Sequence, residues 1–329
     1  MALVSDGFIA MINIKVTTCA PSWDWSRQLP DKGPDWGPFR FHIDTEIEEC
    51  DFWFVFESVS ELSQARCPRE NVVFITGEPD AIGTYSKEFL AQFAHVVSGR
   101  ADIQHAGLIR SHQGHPWFVE KSYDELKLLS RLPKSKAMCV LTSAKAFTPG
   151  HQARLNFVSQ LQARFGKQID VFGRGIRDFD SKWDILSEYR YTVVIENHHG
   201  PDFITEKLPD AWLAFCMPFY WGCSNVEQYC SSDSLIAINP HDVDAASSLI
   251  EKHLADSSLY ESYLPSLVRA RNYYLDHMQF FALARDLAAQ FSSRGSTVCR
   301  ELVTLRPQGQ LAAKESKRSP LARLFRSGR

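Results

Sequence analysis

Four short, nearly continuous apolar runs constrain this chain most: residues 50–57 (CDFWFVFE), 72–76 (VVFIT), 138–142 (MCVLT) and 191–196 (YTVVIE). Each has the length of a strand rather than a helix, and apolar residues on both faces of a strand mean burial on both faces. Such strands occur in parallel sheets covered by helices, and the intervening sequence supplies helical patterns. Residues 151–165 place Leu155, Val158, Leu161 and Phe165 on one face, and residues 204–216 and 254–291 are also helical in pattern. Further strands are expected at 9–18, 169–172, 217–220 and 235–238, with a helix leading into a strand over 89–98. Residues 23–41, rich in Pro, Gly and Trp, read as a loop. The alternation predicts an α/β protein with parallel sheets and helices on both faces.

At roughly 150 residues per domain, 329 residues make two domains. The pattern breaks at 131–136 (RLPKSK) and then restarts. We therefore expect an N-terminal domain over 1–133, a C-terminal domain over 134–300 and a basic tail over 301–329. In that tail, residues 314–329 carry Lys314, Lys317, Arg318, Arg323, Arg326 and Arg329 against Glu315 alone, with Leu321, Leu324 and Phe325 among them. A basic amphipathic segment of this kind can lie on an anionic membrane surface. Pro320 and Gly328 favour the opposite reading, a solvated tail. The net charge of −3 argues against non-specific nucleic-acid binding. None of the eight cysteines forms a CxxC pair, so they read as free thiols in a reducing compartment. No basic segment precedes an apolar core at the N-terminus, and no run approaches a transmembrane length. The expected location is cytoplasmic, with peripheral attachment to the inner face of the membrane through the tail.

The chemistry concentrates in residues 189–220 (YRYTVVIENHHGPDFITEKLPDAWLAFCMPFY). A buried strand delivers Glu196 and Asn197 to the carboxyl edge of the sheet. A polar loop with His198 and His199 follows, and then a helix. Pro209 is tolerated only in a first turn, so the helix is expected to start near Thr205, with Thr205 or Asp202 as its cap. Glu206 and Lys207 then fall in the first turn. Free N–H groups, the helix dipole and Lys207 would converge on a point suited to a diphosphate, and Glu206 could accept hydrogen bonds from sugar hydroxyls. An ordinary βα unit with surface charges is the alternative.

Residues 191–222 resemble the signature of the α1,3/4-fucosyltransferases, glycosyltransferase family 10, in its bacterial form. The resemblance rests on Glu196-Asn197, on Phe203-Ile204-Thr205-Glu206-Lys207 and on Pro218-Phe219-Tyr220-Trp221-Gly222. A weaker likeness lies in Thr76-Gly77-Glu78 and in Arg154 within HQARLNF. The resemblance implies a GT-B fold, two Rossmann-like domains facing a central cleft, with GDP-fucose on the C-terminal domain and the acceptor on the N-terminal one. It implies an inverting transfer of L-fucose to a glycan hydroxyl, O3 of GlcNAc or Glc, with no cofactor and no metal needed for chemistry. Lipid-linked glycans, lipopolysaccharide and protein glycans are all acceptors of a suitable class. Glu78 would be the catalytic base; Arg154, Asn197, Phe203, Thr205, Glu206 and Lys207 would hold the donor. Phe203 departs from members that carry tyrosine there, and it cannot donate a hydrogen bond. His198 and His199 have no inherited role.

Other readings stay open at this stage. The donor could be another guanosine-linked sugar such as GDP-mannose, or the chain could be a catalytically silent nucleotide- or glycan-binding protein. Asp178-Phe179-Asp180 and Asp242-Val243-Asp244 match the D-x-D of metal-dependent transferases, but three residues are a weak pattern. The pairs His112/His115 and His198/His199 could ligate a metal, although loop histidines more often do not. Glu78 could be a turn-capping carboxylate, and Arg154 a surface arginine.

Overall fold

The computed structural model describes residues 11–144, 149–293 and 299–311. The basic segment 314–329, and with it the expected membrane contact, lies outside the described residues. The chain forms two compact units, residues 1–111 with 284–329, and residues 112–283. The division at 111/112 lies earlier in the chain than the charged break at 131–136, and the C-terminal segment returns to the first unit.

The first unit holds β1 (Ile12–Thr17), β2 (Asp35–Trp36), β3 (Phe39–Ile43), β4 (Phe52–Phe56), β5 (Ser63–Cys67), β6 (Val72–Ile75), α1 (Lys87–Leu90), β7 (His95–Val97) and β8 (Leu108–Ile109). Seven of these strands form a sheet in the order β2-β3-β1-β4-β6-β7-β8. All its pairings are parallel except β2 with β3. Every residue of β4 and β6 is buried, as continuous apolar runs require of central parallel strands. The expected loop over 23–41 differs: it contains two short 3-10 turns and the start of β3. Phe39 and Phe41 point inward and alternate with Arg40, a strand signal hidden by the flanking Pro and Gly.

The second unit holds α2 (Tyr123–Leu128), β9 (Lys136–Leu141), α3 (Pro149–Phe165), β10 (Ile169–Phe172), α4 (Lys182–Leu186), β11 (Tyr189–Gly200), α5 (Lys207–Leu213), β12 (Met217–Cys223), β13 (Ile236–Ala237), α6 (Val243–Ala255) and α7 (Ser258–Tyr273). Its five-stranded sheet runs β10-β9-β11-β12-β13 and is parallel throughout. Val140, Tyr191, Val193, Phe219, Phe157, Leu161, Leu208 and Trp212 belong to one buried cluster between sheet and helices. The long helical stretch expected at 254–291 is interrupted. A π-helical turn at Tyr274–Met278 separates α7 from α8 (Phe280–Ser292). No described helix is long and apolar enough to cross a membrane.

After α8 the chain adds β14 (Glu301–Leu305), which pairs antiparallel with β5 and buries Val303 and Leu305 in the core of the first unit.

Candidate functional site

The parallel sheet of the second unit opens at its carboxyl edge into a cavity of about 480 Å³. This is where an open α/β sheet presents its strand ends to a ligand, and the volume suits a small molecule. Thr142 and Ser143 follow β9, Gly173 and Arg174 follow β10, and Thr192 to Ile195 belong to β11; all of them line it. The charged walls come from Arg154, Arg174, Lys182 and Lys207, and from Glu120, Glu206, Asp210, Asp178 and Asp180.

The centre of the site is built where β11 stops pairing regularly. The register with β12 breaks between Ile195 and Gly200, which frees Glu196 and Asn197 from the ladder. Glu196 is completely buried. Its Oε1 accepts the Thr205 amide at 2.9 Å, and its Oε2 accepts the Thr205 hydroxyl at 2.6 Å and Lys207 Nζ at 3.2 Å. Lys207 Nζ also donates to Thr205 Oγ1 at 2.8 Å and lies 3.4 Å from Glu206 Oε1. Burial disfavours the Lys207 ammonium, but Glu196 and Glu206 outweigh burial and raise its affinity for the proton. Burial likewise pushes the Glu206 carboxyl up, yet Lys207, Lys182 and His115 outweigh it and hold Glu206 well below the usual carboxylate range.

These bonds correct the expected cap. The helix begins at Lys207, with Glu206 at the cap position and no capping side chain. Thr205 is taken by Glu196 instead. Asp202, at φ 60°, accepts Asn225 Nδ2 at 2.7 Å and the Tyr229 hydroxyl at 2.6 Å, so it ties down the loop. Pro209 still sits in the first turn, where it costs no hydrogen bond.

Arg154, one turn into α3, is buried rather than a surface arginine. Its Nη1 donates to Asn197 Oδ1 at 2.6 Å and its Nη2 to the Ser143 carbonyl at 3.3 Å, while Nε is buried without a partner. Burial lowers its pKa, with Glu196 opposing.

Sequence reasoning missed a second ion pair. Lys182, at the start of α4, donates to Asp210 Oδ2 at 2.6 Å and lies 3.9 Å from Glu206. Asp210 Oδ1 accepts the Phe118 amide at 2.8 Å. Burial disfavours the Lys182 ammonium, but Asp210 and Glu206 outweigh it. Burial raises the Asp210 carboxyl to about 6 despite Lys182. The available signal was Asp210 itself, a carboxylate inside the otherwise apolar Leu208–Leu213 face, where an acid needs a partner.

Among the seven expected site residues, Arg154, Glu206 and Lys207 line the cavity. Asn197 and Thr205 stand behind them as hydrogen-bond partners. Phe203 is buried with its ring edge-on to His198, 5.4 Å between centroids, and does not line the cavity. His199 stacks on Trp221 at 4.7 Å. Glu78 lies in the first unit, exposed, just after β6. Asp178 and Asp180 line the cavity, whereas Asp242 caps α6 through Ala245. No group of three or more potential ligands is placed to hold a metal among the described residues. All eight cysteines are free thiols.

Comparison with known proteins places this geometry. The family model described as glycosyltransferase family 10 (fucosyltransferase) C-term matches residues 132–303, just over half of the chain. Human 4-galactosyl-N-acetylglucosaminide 3-alpha-L-fucosyltransferase FUT6 is 29% identical over 129 residues, 38% of this chain and 34% of that protein. Helicobacter pylori alpha-(1,3)-fucosyltransferase FucT is 34% identical over 62 residues, 19% of this chain and 13% of that protein. The chain thus matches about a third or less of the length of these curated relatives. A crystal structure of an alpha1,3-fucosyltransferase with GDP-fucose superposes with TM-score 0.51 at 16% identity, covering 92% of this chain and 96% of that one. An alpha-glucosyltransferase in complex with UDP-glucose and DNA superposes with TM-score 0.50 at 8% identity, covering 86% and 99%. Identities this low speak for fold alone, the α/β GT-B class. The match to the family model goes further: the chain belongs to glycosyltransferase family 10, the fucosyltransferases.

Proposed function

We propose that this protein transfers L-fucose from GDP-fucose to a glycan hydroxyl, O3 of GlcNAc or Glc, with inversion at the anomeric carbon and no metal ion in the chemical step. The observation that carries the reading is the convergence of Arg154, Lys182 and Lys207 on one cavity at the carboxyl edge of a parallel sheet. Three cations lining one cavity suit a diphosphate, and Glu206 beside them suits sugar hydroxyls.

In this reading Glu78 takes the proton of the acceptor hydroxyl. The acceptor oxygen attacks the anomeric carbon from the face opposite GDP, and the bond from that carbon to the phosphate oxygen breaks. The electron pair leaves with GDP, whose growing charge is met by Arg154 and Lys207. The sugar passes through an oxocarbenium-like state, as in glycoside hydrolysis. Arg154 suits this role because Asn197 and the Ser143 carbonyl hold its guanidinium at the cavity.

The test is release of the nucleoside diphosphate from a panel of GDP- and UDP-sugars, with N-acetyllactosamine as acceptor. Turnover confined to GDP-fucose, lost in Glu78→Gln, is the expected result. Binding of GDP-fucose without turnover would point to a silent binder, and turnover of GDP-mannose would reassign the donor.

A further inference from the structure

A glutamate that neither the donor cavity nor the base assignment uses sits directly behind Glu78. Glu57 follows β4 with φ 69°, a left-handed conformation that a non-glycine residue adopts only when its surroundings compensate. The compensation is visible in its carboxylate. Oε2 accepts the Glu78 amide at 2.8 Å, and Oε1 accepts the Tyr85 hydroxyl at 2.9 Å. Gly77 makes room for this reach, since a Cβ there would lie 2.2 Å from Glu57 Oε2. On the other side, Arg100 Nη1 donates to the Glu78 carbonyl at 3.1 Å. Arg100 is itself fixed by Asp102 at 2.7 and 2.9 Å, and its guanidinium lies 5.0 Å from the centre of the Tyr85 ring. Both backbone polar groups of Glu78 are therefore held by side chains from elsewhere in the first unit. The Glu78 carboxylate, by contrast, is exposed and makes no hydrogen bond to any described residue. The turn is capped by Glu57, which leaves Glu78 free for other work.

We propose that Glu57 is a positioning residue for Glu78, acting with Tyr85 and Arg100 as a clamp on the backbone of the Thr76-Gly77-Glu78 turn. It rests on the reading of Glu78 as the base. A base must be held to within about half an ångström of the geometry in which it takes the proton, and a carboxylate on a free turn would not stay there. The clamp fixes the Cα of Glu78 and leaves its side chain to meet the acceptor hydroxyl. Burial, the largest influence, raises the Glu57 carboxyl against the opposing bonds from Tyr85 and the amides.

The test measures GDP release from GDP-fucose, with N-acetyllactosamine and with water alone as acceptor, for Glu57→Ala, Glu57→Gln, Glu78→Ala and the double variant Glu57→Ala/Glu78→Ala. Glu57→Ala should lower kcat by about 30- to 300-fold and leave KM for GDP-fucose within about 3-fold. Glu57→Gln keeps an oxygen for the Glu78 amide and should return to within about 5-fold of wild type. In the Glu78→Ala background, Glu57→Ala should cost less than about 3-fold more, because the residue acts through Glu78. An unchanged kcat in Glu57→Ala, or an equal loss with and without Glu78, would overturn the clamp while leaving the base assignment standing. Full turnover by Glu78→Ala alone would instead remove the base assignment, and the clamp with it. Should Glu57→Ala fail to fold, Tyr85→Phe serves in its place. It removes one hydrogen bond to Glu57 and should lower kcat about 3- to 10-fold at constant KM; no change would equally overturn the proposal.

Discussion

Lys207 and Glu196 hold each other in place, and the consequence reaches stability as well as binding. Removing Lys207 leaves Glu196 fully buried with only the two Thr205 bonds. A fully buried pair loses roughly 3–5 kcal/mol when one partner goes. Lys207 keeps 24% side-chain exposure, so Lys207→Met should cost less, about 2–3 kcal/mol by urea unfolding. His112 sets a pH limit of its own. Burial pushes its imidazole down to about 4, and Nδ1 accepts the Gly114 amide at 3.1 Å. The folded chain thus keeps the ring neutral at pH values where the unfolded chain takes up a proton. Stability is fully present above the ordinary histidine value near 6.5 and drains away as pH falls toward 4. His112→Asn keeps an acceptor and does not titrate, so between pH 7 and 4.5 it should lose about 2–3 kcal/mol less than wild type in urea unfolding. At this scale Glu206 and Lys207 could be read from the sequence because they are adjacent in the signature, and Arg154 from its own weaker likeness within HQARLNF. Lys182 could not, since its partners Asp210 and Glu206 lie more than twenty residues away, and Glu57 is separated from Glu78 by a whole strand pair.

Several elements that line the cavity had patterns that were plain in the sequence: β9, β10, β11, α3 and the helix after β11; α4, which brings Lys182, had none. Burial on both faces leaves little freedom in what such runs become. The start of α5 was misread for a local reason. A threonine before Glu-Lys is a good cap by type, but the unpaired end of β11 puts Glu196 within reach of its amide and hydroxyl, and a carboxylate outcompetes the helix for both. The strand β3 was missed because Pro and Gly flank it. β5 and β14 were missed because they form their ladder with each other, far apart in the chain. The packing of β12 on β11 gives a test at this level. A Cβ at Gly222 would lie 2.3 Å from Glu196 Cγ and 2.7 Å from the Tyr220 hydroxyl. Gly222→Ala should therefore destabilise the protein by about 1–3 kcal/mol and weaken GDP binding about 10-fold, because Glu196 carries Lys207 with it. Calorimetric unfolding and GDP titration of one sample measure both.

Across the whole molecule, the two units keep separate cores. The first carries the Glu78 turn and is closed by β14; the second carries the cavity at the carboxyl edge of its sheet. Leu305 is fully buried in the core of the first unit. Leu305→Ala should cost about 2–5 kcal/mol of stability yet leave GDP affinity within about 2-fold at 15 °C, where the variant stays folded. The alternation of strands and helices made this α/β architecture legible. The return of residues 284–329 to the first unit was not, because it depends on a pairing between β5 and β14 that no local pattern announces. The proposed binding of a guanosine-linked sugar's diphosphate by the cations of the second unit is tested most directly by calorimetric titration of GDP into wild type, Arg154→Ala, Lys207→Met and Glu78→Gln. GDP affinity should fall about 30-fold or more in the first two variants and stay unchanged in the third. Equal affinity in Lys207→Met and wild type, or no GDP binding by the wild-type protein, would contradict it.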